Sequence, residues 1–159
     1  MKLTDNLSIS GHLTATLHHR GGKMLDTRHV SNSITLAARD LVMHLYNGDP
    51  NLKDTVKRLT QMRLGTGKTA FAANQTALAT QLEQGIPIEI YESSAIDAQS
   101  KMPRKQLRLT ATLNENQCNG ELQEEGLFTS DDVMYNQVVF APINKSDQFK
   151  LTLVWEIIF

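Results

Sequence analysis

The chain has 159 residues with 16 Lys or Arg against 17 Asp or Glu, a formal charge of -1. That length can bury one core without staples, and the near-neutral balance argues against long-range attraction to nucleic acid or an anionic membrane. Cys118 is the one cysteine, so neither an intrachain disulfide nor a cysteine metal site can form, and folding is expected to rest on packing in a reducing cytoplasm.

Residues 1–6 carry an acid and no apolar run, which does not read as a signal peptide, and no stretch approaches the roughly 18 apolar residues of a membrane span. From residue 7 the pattern alternates. Leu7, Ile9, Gly11, Leu13, Ala15 and Leu17 are apolar or small, while Ser8, Ser10, His12, Thr14, Thr16 and His18 lie between them. This is the period of a half-buried strand. Gly21 and Gly22 supply a tight turn, and residues 23–30 return as the partner strand of a hairpin. After Ser31 the period changes: Ile34, Ala37, Ala38, Leu41, Val42 and Leu45 form one stripe. That spacing predicts an amphipathic helix over about 33–47, capped by Asn32 or Ser33 and stopped by Gly48 and Pro50.

Strands follow. Residues 60–64 read as one, and Ile86, Ile88 and Ile90 alternate with Pro87 and Glu89. Leu107, Leu109, Ala111 and Leu113 alternate with Arg108, Thr110 and Thr112. Leu122 and residues 133–140 continue the series, and Phe149, Leu151, Leu153, Trp155, Ile157 and Phe159 share one face of a last strand. Seven or eight strands and one helix, with no strand–helix alternation, predict a mainly β fold, an antiparallel β-sandwich or jelly roll, in a single domain over 1–159. Segments 65–85 and 91–106 are polar and weakly periodic and read as long loops, which are usually functional or ordered by a partner.

Gly65-Thr66-Gly67-Lys68-Thr69 looks like the end of a phosphate-binding loop. The spacing fails, because Met62 stands where the leading glycine belongs, and a glycine turn ending a strand is the simpler reading. His12, His18, His19, His29 and His44 show no convergence toward a metal, and His12 and His18 fall on the polar face of the first strand. Cys118 beside Asn119-Gly120 reads as a turn flank. The pairs Glu124-Glu125 and Asp131-Asp132 adjoin turn residues and read as solvated charge. Lys101, Arg104, Lys105 and Arg108 form a local basic cluster that, with Lys68, is the candidate partner-binding set. Catalytic, cofactor and metal sites are not expected.

Taken in order, these features resemble a family of small virion structural proteins of tailed bacteriophages. The likeness is carried by the hairpin, the Asn-capped helix, the strand entering Gly65-Thr66-Gly67, and Thr76-Ala77-Leu78. It continues through Asn119-Gly120-Glu121-Leu122, Glu125-Gly126-Leu127-Phe128, residues 138–140 with Pro142-Ile143-Asn144-Lys145, and the closing strand centred on Trp155. It spans nearly the whole chain, with a longer polar segment at about 91–106 as the departure. The resemblance implies a head-decorating, tail-fibre or baseplate component with no catalytic residue to carry over.

The expected function is therefore a non-enzymatic capsid decoration or cement protein, made in the host cytoplasm and incorporated into the virion. Its expected partners are copies of itself, in a trimer or other symmetric oligomer, and the major capsid protein or tail and baseplate proteins. The alternatives are a baseplate or tail-fibre adaptor and a carbohydrate-binding receptor module, the latter resting on Tyr91 or Tyr135.

Overall fold

The computed structural model describes residues 9–47, 58–82, 85–96 and 103–159. The alternating first segment forms Ser10–His19 (β1) and Met24–Ser31 (β2), joined by a turn in which Gly22 takes a φ of 85°, a left-handed conformation suited to glycine. Then come Ser33–Ile34 (β3), the helix Leu36–Asn47 (α1), Leu59–Gly65 (β4), Ile86–Pro87 (β5) and Glu89–Ile96 (β6). Pro103–Leu113 (β7), Gly120–Thr129 (β8), Met134–Lys145 (β9) and Phe149–Ile158 (β10) complete the order.

The strands build two five-stranded sheets. Sheet A has the order β2-β1-β10-β7-β6 and sheet B the order β3-β9-β8-β4-β5. Every ladder is antiparallel. The result is the β-sandwich that the alternation predicts. Its core is the two inner faces: Leu13, Ala15, Leu109, Leu113, Leu151, Leu153, Trp155 and Ile157 from sheet A meet Met62, Leu64, Leu122, Leu127, Val138 and Ile143 from sheet B. The final strand faces inward as its pattern predicts, with Trp155 fully buried.

Ten strands form where the alternation predicts seven or eight, the two-residue β3 and β5 being too short to show a period, and three further expectations need correction. The helix begins at Leu36 rather than near 33, and neither Asn32 nor Ser33 caps it. Ser33 and Ile34 are drawn into β3 by pairing with Gln137 and Asn136. Thr35 becomes the cap, its Oγ1 accepting the Ala38 N–H at 3.1 Å and donating to the Met134 carbonyl at 2.7 Å, which satisfies one of the open amides of a helix start. Gly48 and Pro50 lie outside the described residues.

The segment expected as a loop at 91–106 is largely a hairpin. β6 and β7 pair in unbroken register from Glu89↔Thr110 to Ile96↔Pro103. The period-two signal fades because residues 91–94 are exposed on both faces, so no core-facing side had to be apolar.

The third correction concerns the acidic pair. Glu124 and Glu125 are fully buried on β8, not solvated. Both faces of this strand are covered, one by sheet A and the other by residues 65–80. At the base of the sandwich another buried charge is structural. The Lys145 ammonium donates to the carbonyls of Asn114 and Glu115 and to Asn119 Oδ1, at 2.7, 3.2 and 2.9 Å, and so holds the turn between β7 and β8. That turn contains buried Cys118, at a positive φ of 48°, in keeping with its reading as a turn flank.

Candidate interaction surfaces

Residues 65–82 have little regular structure; a Gly65↔Gln81 bridge and the Leu82 N–H donating to the Leu64 carbonyl at 3.0 Å tie their end to β4, and one side chain of β8 gathers their amides. Glu124 points outward from β8 and accepts from Gly67 N–H at 3.0 Å and Thr80 N–H at 2.7 Å on one oxygen. On the other it accepts from Ala79 N–H at 3.0 Å and Gln137 Nε2 at 2.9 Å. A buried carboxylate is stable when several donors replace its water. The glycines of Gly65-Thr66-Gly67 permit this approach: a Cβ on Gly67 would lie 2.3 Å from Glu124 Oε1, and one on Gly65 would lie 2.4 Å from it. The amide that resembled part of a phosphate cradle is thus occupied by the chain's own carboxylate.

Beneath the same segment Leu78, Phe128 and Met134 form a small second core. The Arg63 guanidinium lies 4.2 Å from the Phe128 ring centroid and pairs with Asp132, sealing that cluster with a cation–π contact.

Glu125 points the other way, into the sandwich. Its Oε2 accepts the Trp155 indole N–H at 2.5 Å, while Oε1 is buried without a hydrogen-bond partner. Burial pushes its carboxyl well above the ordinary carboxylate range, and the indole N–H opposes that only in part. Such a group can act as a pH-sensitive element of stability, but it opens onto no surface.

The outer face of sheet A is the broad one. The strand registers set Ser31, His12, Glu156, Arg108 and Tyr91 side by side across five strands. The next row in register is His29, Thr14, Val154, Thr110 and Glu89. Toward β6 this face dips into a shallow open depression of about 590 Å³ lined by Glu89, Tyr91, Gln106, Arg108 and Glu156. Tyr91 is 55% exposed and donates to Glu89 at 2.7 Å. That bond and the charge of Glu89 hold its phenol above the ordinary range. Tyr135, the other candidate aromatic, is buried in the core, where burial raises its phenol, so it is not available to a ligand.

The predicted basic cluster is not brought together. Arg104 and Arg108 lie on the outer face of β7, Lys105 on its inner face, and Lys101 outside the described residues. Lys68 lies on the segment covering sheet B, 3.7 Å from Glu121. His12 and His29 sit on the polar outer face of sheet A, bonded to Ser31 and Thr14 at 3.4 and 3.1 Å. Among the described residues no group of three or more His, Cys, Asp or Glu could hold a metal, and no helix is long and apolar enough to cross a membrane.

Glu124 is the residue that sequence reasoning missed. The available signal was the pair of closely spaced glycines at 65 and 67, which implies close approach to something. Comparison with protein-family models, curated proteins and solved structures returns no match for this chain.

Proposed function

We propose that this chain is a non-enzymatic structural protein of a tailed-phage particle, acting as a capsid decoration or cement protein that braces major capsid subunits. The reading rests on the resemblance set out above and on one structural observation: the buried acids act within the fold. Glu124 fastens the covering segment and Glu125 bonds the core tryptophan, and the outer face of sheet A, five strands across, is a polar surface for contact. Flat, polar, many-point surfaces suit bracing, in which each contact is modest and area supplies the sum. The proposed partners are other copies of the chain, in a symmetric oligomer, and major capsid protein. The proposed location is the virion, after synthesis in the host cytoplasm.

A second reading is favoured by Tyr91. An exposed aromatic beside Glu89, Gln106, Arg108 and Glu156 is a reasonable platform for a sugar ring, with stacking on the phenol and hydroxyls bonded by the polar groups. A baseplate or tail-fibre adaptor would use the same faces on fewer copies.

The test is to label the C-terminus and image purified particles. Label distributed over the whole head is expected. Label confined to the tail tip would replace the cement reading with the adaptor, and glycan retention lost on Tyr91→Ala would favour the receptor module.

A further inference from the structure

The four sheet edges are not alike. β3 covers only Asn136 and Gln137 of β9, whose remaining edge is interrupted by Pro142 and by an irregular register with β8, and β5, also two residues long, ends in Pro87. β2 carries the pair Arg28–Asp26 at 2.5 Å, and its ladder to β1 is broken by an irregularity between Leu17 and His18. Charges and bulges are the usual protections of an edge. β6 has neither lysine, arginine nor proline over its eight residues, and of its two charges Glu89 accepts from Tyr91 on the outer face, which leaves Glu92. It runs in unbroken register along β7 and leaves Ile90 at 42% and Ile96 at 74% exposure.

Which backbone groups β6 offers follows from β7. Phe159 N–H donates to the Lys105 carbonyl at 2.9 Å and Lys105 N–H to the Phe159 carbonyl at 3.4 Å, so Lys105 spends its backbone bonds on the side away from β6. Its neighbour on β6, Ser94, is then a non-hydrogen-bonded partner. Because an antiparallel ladder alternates, the N–H and C=O groups of Ile90, Glu92, Ser94 and Ile96 point out from this edge, which no described strand covers.

We propose that β6 pairs antiparallel with β6 of a second copy about a two-fold axis at Ser93, fusing two copies of sheet A into one continuous sheet. The charges select this register. Outward residues must pair with outward residues, which leaves few choices. Glu92 against Glu92 opposes two carboxylates, and Glu92 against Ile90 or Ile96 sets a charge on an apolar side chain. Glu92 against Ser94 puts Ile90 opposite Ile96, twice by symmetry.

The same register supplies a counter-charge. Lys105 Nζ already reaches over Ser94, 2.7 Å from its Oγ, so Glu92 of the second copy arrives beside an ammonium directed at it. Beside it lies a depression of about 470 Å³, lined by Glu92, Ser94, Lys105, Leu107 and Phe159 and left open by the described residues, which Glu92 and Ser94 of the second copy face in this register. Main-chain bonds give such strand addition its affinity, and the side-chain match gives its register. The inference does not rest on the virion reading.

The test is sedimentation of the whole chain over a range of concentrations, with variants that read the register. A reversible monomer–dimer equilibrium is expected. Ser94→Pro removes an outward N–H that β7 does not use, a place where an edge strand accepts proline; it is expected to keep the melting temperature and to weaken dimerisation by roughly tenfold or more. Glu92→Lys is expected to weaken the dimer, and adding Lys105→Glu to restore it. Ser93→Cys faces its own copy across the axis, at the roughly 4.5 Å Cα separation of a non-hydrogen-bonded pair, and is expected to oxidise to a covalent dimer faster than Ser94→Cys. A chain that stays monomeric at every concentration, a dimer indifferent to Ser94→Pro, or equal oxidation of the two cysteine variants would overturn the proposal.

Discussion

Glu125 is a carboxyl placed where water cannot reach it. With one hydrogen bond from Trp155 at 2.5 Å and Oε1 unpartnered, the neutral form is favoured in the fold, so the folded chain holds this proton more tightly than the unfolded chain, whose value is near 4.5. The sign follows from that difference. The stabilisation is fully present below about pH 4.5 and is lost as the pH rises toward the raised folded value, at up to about 1.4 kcal/mol per pH unit. Glu125→Gln keeps an oxygen for the indole and removes the titration. Melting temperatures of the two proteins measured from pH 5 to 8 should therefore diverge, the glutamine variant gaining on the parent as pH increases. Parallel profiles would mean that Glu125 is solvated or paired in solution.

At the level of elements, the contrast between β10 and the 65–85 segment explains what the sequence could reveal. β10 buries one face only, so Leu151, Leu153, Trp155 and Ile157 alternate with Thr152, Val154, Glu156 and Ile158 and the strand is readable at sight. β8 buries both faces, and its acids look like surface charge because a linear pattern does not show that Gly67, Ala79 and Thr80 will deliver amides to Glu124 from residues 44 to 57 positions away. The 65–85 segment is legible as irregular, but its anchor is not.

That anchor is testable. Glu124→Gln replaces one acceptor oxygen by an NH₂ that meets backbone donors, with an expected cost of about 3 kcal/mol. Hydrogen exchange at Gly67, Ala79 and Thr80 should accelerate more than exchange in β1 or β10. Gly67→Ala should act in the same direction, since its Cβ would collide with the carboxylate and with Ala79. Unchanged protection of those amides would show that the segment is held by something other than Glu124.

For the whole molecule, the topology puts the end of the chain at the centre of sheet A. β10 pairs with β1 from Ser10↔Ile158 to His19↔Phe149 and with β7 from Leu151↔Leu113 to Ile158↔Gln106. The two hairpins it joins, β1–β2 and β6–β7, make no ladder with each other. Sequence alone supports a two-layer antiparallel sandwich because the strands are many and one-sided. It does not give the strand order, since a strand's alternation says which face is buried and nothing about which neighbour it takes. With the first and last strands adjacent, the defining contacts span nearly the whole chain, which favours folding in milliseconds to seconds rather than microseconds. A chain ending at residue 148 loses Leu151, Leu153, Trp155 and Ile157 from the core together with both ladders, while an isolated hairpin is only marginally stable in water. That truncated chain should show no cooperative thermal transition by circular dichroism. A sharp melt would mean that sheet B, with α1 and the Glu124-anchored segment, folds as an independent unit, and the inward face of β10 would then be a lid on a pre-formed half rather than the strand that completes the sandwich.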